Sequence, residues 1–142
     1  MHQKLVATSS TTIDASPKKT WDALVTPEAI KQYMFGTTVV SDWKAGGAIV
    51  WKGEWQGQQY EDKGVILQFD PERRLRFTHF SPLAGVPDKP ENYHTVTIDL
   101  APDGARTHVS LAQDNNPTEE AREHSEKNWQ TVLAGLKQYL ER

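Results

Sequence analysis

Residues 118–141, TEEAREHSEKNWQTVLAGLKQYLE, are the long stretch with a helical period, and most of what lies between residues 37 and 113 reads as strand. Thr118 can cap this helix, Glu119 and Glu120 complement its positive end, and Trp129, Val132, Leu133, Leu136 and Leu140 fall on one face. One sheet with an apolar face and one long helix with an apolar face must bury those surfaces against each other. The spacing therefore predicts the helix lying across the concave side of the sheet.

The remaining segments fit that layout. From Lys4 to Asp14 the residues alternate, with Leu5, Ala7, Ser9, Thr11 and Ile13 on one side, which predicts a first strand. Ser16 and Pro17 then open a short helix carrying Trp21, Leu24 and Val25, and Thr26 with Pro27 opens a second that stops at Gly36. Further strands are predicted over 37–41, 48–55, 60–69, 75–81, 93–100 and 107–113, each bounded by Gly, Pro, Asp or Asn. Connections at 57–58, 71–74 and 102–105 are of hairpin size, which makes the sheet an antiparallel meander. Gly46 and Gly47 permit the positive φ of a tight turn after Trp43. Residues 81–92, SPLAGVPDKPEN, hold three of the eight prolines and form the longest irregular connection. That length, next to His79 and His94, predicts a gate over whatever the sheet encloses. No repeat or linker divides the sequence, so residues 1–142 read as a single domain.

Composition removes several function classes. The formal charge of −3 and the lack of a basic run argue against nucleic acid, whose phosphates demand a concentrated basic face. Alternation splits the cluster Arg73, Arg74 and Arg76 between two sides of a strand. With no cysteine there are no disulfides, thiolate nucleophiles or cysteine metal sites. The N-terminal residues lack an apolar leader segment and no stretch is long enough to span a bilayer, so the expectation is a cytoplasmic protein without a membrane role.

Trp43, Trp51 and Trp55 account for three of the five tryptophans within one hairpin. If Ile49 points inward, Trp51, Gly53 and Trp55 share its face, and Gly53 leaves a notch between two rings. Such rings either fill core volume or wall a pocket. His79 follows Leu75 and Phe77 in phase, and His94 precedes Val96, Ile98 and Leu100 in phase, so both imidazoles point with the apolar residues. Each is either a hydrogen-bonded rim histidine or an acid, base or ligand anchor. The histidines show no HxxxH or HxH spacing, and His108 is out of phase with Val109 and Leu111, so no metal is expected. No G-x-S-x-G elbow supports a Ser-His-Asp triad, and no glycine-rich phosphate loop is present. The charged run 119–127 reads as a solvated helix face with a Glu123–Lys127 pair.

Four patterns carry a family resemblance: ASPKKTWDALVTPEAIKQYM at 15–34, WKAGGAIVW at 43–51, GVILQFDPERRLRFT at 64–78, and NWQTVLAGLKQYLE at 128–141. In this order the sequence resembles the START-like helix-grip (SRPBCC) superfamily, in the branch of the activator of heat-shock-protein ATPase. The resemblance implies an α+β helix-grip fold: an antiparallel curved sheet wrapped around a long C-terminal helix, with two short helices after the first strand. It also implies a cavity between sheet and helix that binds a small apolar or amphipathic molecule. Its walls would be Trp21, Tyr33, Trp51, Trp55, Phe77 and Trp129, with His79 and His94 tuning binding and no cofactor required. A second class is a cyclase-like or other proton-transfer enzyme using the same cavity, with His79 or His94 beside Tyr60, Tyr93 or Glu54. A third is an interaction module for a heat-shock ATPase; in the eukaryotic activator this domain accompanies a separate N-terminal one, and the present sequence opens on the first strand. A homodimer is compatible with all three.

Overall fold

A computed structural model describes residues 5–142, apart from the side chains of Trp55 and Ala84. The chain runs β1 (Ala7–Ile13), α1 (Pro17–Leu24), α2 (Pro27–Tyr33), β2 (Thr38–Ser41), β3 (Ala48–Trp55), β4 (Gln58–Asp70), β5 (Arg74–His79), β6 (His94–Asp103), β7 (Arg106–Gln113) and α3 (Glu119–Glu141). The strands make one antiparallel sheet in the order β1-β7-β6-β5-β4-β3-β2. This is the helix-grip layout. Because α1 and α2 intervene between β1 and β2, the first strand pairs with the last and the other six follow as a meander.

Local chemistry accounts for the helix starts. Ser16 accepts from the Lys19 N–H at 3.2 Å, and Thr118 accepts from the Ala121 N–H at 3.0 Å, each satisfying a donor the first turn cannot. Thr26 makes no such bond, so α2 starts on the fixed φ of Pro27 alone. The hairpin after β3 turns at Gln56 and Gly57, one residue earlier than the sequence suggests. Both have positive φ, 52° and 82°, as a two-residue turn compatible with strand twist requires. β5 ends at His79, two residues short of the prediction, and Phe80 keeps only an isolated bridge to Lys63. β6 continues past Leu100 to Asp103 because its partner β7 starts at Arg106 across a tight turn.

Two glycines allow close approaches within the sheet. At Gly64 a Cβ would stand 1.7 Å from the Thr78 carbonyl oxygen, where β4 pairs with Ile49 of β3 on one side and runs beside the end of β5 on the other. At Gly53 a Cβ would meet the Tyr60 ring and hydroxyl within 3 Å, so the notch beside Trp51 is filled by Tyr60. The Tyr60 hydroxyl lies 2.6 Å from that of Thr37.

Helix α3 runs along β1 on the inner face and also meets α1 and α2. Val132, Leu133 and Leu136 enter one core with Trp21, Ile30, Val39, Ile66, Phe77 and Val109. Trp21 sits edge-on to Phe69 with ring centroids 5.1 Å apart, and the Tyr33 hydroxyl donates to the Ala23 carbonyl at 2.9 Å. Burial pushes the Tyr33 phenol far above its usual range, so it stays a donor. The expected Glu123–Lys127 pair is absent among the described residues; Arg122 instead pairs with Glu119 and Glu126 on the same helix.

Candidate functional site

At the end of the sheet that carries residues 81–92, the inner face changes from apolar to polar. Trp51 lies across from Asp62 in the β3–β4 register, and His79 lies across from His94 in the β5–β6 register. The rings converge: Trp51 is 5.3 Å from Phe77 and 5.1 Å from His79, and His79 stacks on His94 at 6.2 Å. Trp51 and Phe77 are buried, whereas His79, His94 and Asp62 are half-buried. The arrangement is an aromatic floor with two imidazoles standing at its edge.

Each imidazole is held from behind. His79 Nε2 lies 2.9 Å from Asp62 Oδ2, and His94 Nδ1 lies 2.9 Å from the Asp114 carbonyl oxygen. Burial lowers the pKa of His94, the neighbouring His79 lowers it further, and the bond to Asp114 opposes both. Asp62 Oδ1 is buried and has no hydrogen-bond partner, a condition that costs free energy and calls for a reason. Sequence reasoning paired the histidines with Tyr60, Tyr93 or Glu54 and missed Asp62. The turn at Gln56–Gly57 sets the register that puts Asp62 opposite Trp51, but the contact with His79 crosses to β5, which that turn does not fix.

Trp129 approaches from α3. Its indole N–H donates to Gln113 Oε1 at 2.6 Å, and the Gln113 amide reaches Asn116 Oδ1 and Ser125 Oγ at 3.4 Å each. Asn116 in turn donates to the Leu5 carbonyl at 2.8 Å. This network fixes the start of α3 against β7 and orients the Trp129 ring. Trp21 and Tyr33 belong to the far end of the core, beside Phe69 and Tyr139, away from the histidines. The side chain of Trp55 lies outside the described residues. Of the eight residues that the sequence proposes for one cavity, the structure brings the rings of Trp51, Phe77, His79 and His94 together.

The connection 81–92 folds into two single 3-10 turns, Pro82–Ala84 and Pro90–Asn92. It is tied to the sheet by a Lys63–Asp88 ion pair, by the Tyr93 hydroxyl donating to Asp88 at 2.6 Å, and by Phe80 stacking on Tyr93. Two open depressions, about 610 and 530 Å³, lie elsewhere. One is lined by Ser and Thr side chains such as Ser10, Thr97 and Ser110, the other by Lys52, Glu54 and Glu61. Among the described residues no cluster of three metal-ligating side chains occurs, and no helix is long and apolar enough to cross a membrane.

The sequence matches the family model described as Activator of Hsp90 ATPase homolog 1-like protein over residues 14–141. The chain belongs to this family. None of the curated proteins matches it. Among solved structures, the solution structure of ChR145 from Cytophaga hutchinsonii is 60% identical, with a TM-score of 0.86 over 99% of this chain and 97% of that one. The crystal structure of CV1439 from Chromobacterium violaceum is 24% identical, with a TM-score of 0.83 over 97% and 98% of the two chains. The Aha1 dimer from Colwellia psychrerythraea is 21% identical, with a TM-score of 0.74 over 96% of each. The last two likenesses concern the fold. The family match spans every residue of the histidine site, from Trp51 to Trp129.

Proposed function

We propose that this Hsp90-ATPase-activator-like domain binds a small amphipathic molecule on its inner face, with the apolar part on Trp51, Phe77 and Trp129 and the polar part on His79 and His94. The observation that supports the reading is the pair of half-buried imidazoles, each anchored from behind, at the edge of an aromatic floor. Trp21 and Tyr33 enter as the deep wall, and residues 81–92 as the segment that closes over a bound molecule. Nile red, an uncharged apolar dye, should brighten on binding and be displaced by a tighter ligand. For an amphipathic ligand that donates to the imidazoles, His79→Ala or His94→Ala should weaken binding by about 1 kcal/mol, the worth of one hydrogen bond. Trp51→Ala should cost more, because it removes a wall as well as contact area. Unchanged dye binding in all three variants would remove the site from consideration.

The Asp62–His79 pair favours a second reading. A carboxylate that orients an imidazole whose other nitrogen is unoccupied is the arrangement of a general base. In this reading His79 takes a proton from a bound molecule and Asp62 positions it. Turnover of any bound compound that falls roughly a hundredfold in His79→Ala, with binding intact, would establish it over simple binding.

A further inference from the structure

Resting on that binding reading, we infer that the polar end of the site takes a cationic hydrogen-bond donor, an amine, and discriminates against a carboxylate. An ionised carboxylate only accepts, so the contact between Asp62 Oδ2 and His79 Nε2 at 2.9 Å places the proton of a neutral His79 on Nε2. A backbone carbonyl also only accepts, so the Asp114 contact at 2.9 Å places the proton of a neutral His94 on Nδ1. The lone pairs are thereby left on His79 Nδ1 and His94 Nε2, and neither atom hydrogen-bonds within the described chain. Two neighbouring acceptors remain, from directly paired residues of adjacent strands.

The charge around them has one sign. Asp62 Oδ1 carries its share of a negative charge with no partner. The nearby cation of Lys63 is engaged by Asp88, on the other side of β4 from Asp62. Trp51, 5.1 Å from His79, presents an indole, the aromatic ring that best attracts a cation. A carboxylate head would meet two lone pairs and an uncompensated carboxylate. An ammonium head brings several donors to the lone pairs and a positive charge to Asp62.

The test uses one chain length with three heads, octylamine, octanol and octanoate, titrated calorimetrically against the intact protein at a pH of about 8, where a free imidazole is neutral and an alkylamine charged. Octylamine should bind at least about tenfold tighter than octanoate, the size of one charge-assisted hydrogen bond. In Asp62→Asn the amine should lose its advantage over octanol while octanol binding persists. Octanoate binding as tightly as octylamine overturns the inference but leaves the binding site standing. Failure of all three compounds, with Nile red also unbound, overturns the binding reading and this inference with it. Should Asp62→Asn not fold, nitrogen-15 shifts of the wild-type imidazoles at the same pH decide: Nε2–H on His79 and Nδ1–H on His94 are expected, and the opposite tautomer on either ring refutes the acceptor pair.

Discussion

At Gly64 the only occupant the sheet accepts is a hydrogen atom, because the obstacle is the Thr78 backbone oxygen and not the end of a flexible side chain. Gly64→Ala is expected to lose about 3 kcal/mol, the upper end of overpacking costs, as a lowered urea midpoint. A midpoint equal to the parent's would mean that β4 and β5 separate freely at this point. His94 raises a different matter, that of charge. Its folded-state pKa is lowered, so as pH falls the unfolded chain takes up this proton first, near 6.5, and the folded chain only later. In that window the unfolded state holds more protons, and stability declines with falling pH. Between about pH 7.5 and about pH 5.5, His94→Gln should show a smaller loss of stability in urea titrations than the parent. Asp88, Glu119 and Glu141 have pKa values lowered by their cationic partners, so they titrate below this window and do not obscure the comparison. The phases of both histidines are legible in the sequence, whereas the partners that define their protons are not: the Asp62–His79 contact joins residues 17 apart in different strands.

Strand β1 is an edge, and an edge strand with open N–H and C=O groups invites pairing with another chain. Helix α3 closes it with side chains. Glu126 accepts from the Thr8 N–H at 3.1 Å, Glu141 accepts from the Asp14 N–H at 2.8 Å, and Lys137 donates to the Thr12 carbonyl at 2.7 Å. The charged face of the helix, which by sequence reads as solvated, therefore has one flank that works on the sheet. Glu126→Ala should speed hydrogen exchange at the Thr8 amide while leaving Asp14 protected, and Glu141→Ala should do the reverse. Equal acceleration of both amides in either variant would show that β1 opens as a unit and that the caps are not individually responsible. Element identities were legible because they depend on neighbours two to four residues away. Ends were less so: β5 stops at His79 because Phe80 turns to bridge Lys63, a contact across strands that no local pattern records.

Across the molecule, sheet and helix share one core, and Leu136 at its centre is 0% exposed beside Gly135, which lets α3 approach Tyr33 of α2. Leu136→Ala should lose about 2–5 kcal/mol in urea unfolding, the cost of an unfilled core cavity. Iodide should quench the native tryptophan emission much less than that of the urea-unfolded chain, since Trp21 and Trp51 are 5% and 7% exposed and Trp43 and Trp129 are half-buried. The sequence by itself determined the order of elements, the meander and the helix that must cover it, because hydrophobic period and turn chemistry act between residues close along the chain. It also put Trp51, Phe77, His79 and His94 in phase with their apolar neighbours. Only the tertiary structure decided that Tyr60 fills the notch at Gly53, that Trp21 and Tyr33 stand apart from the histidines, and that Asp62 and the Asp114 carbonyl hold the imidazoles from behind. Those contacts depend on strand register and on the packing of one layer against the other. Distances between residues far apart in sequence exist only once the sheet has closed around its helix.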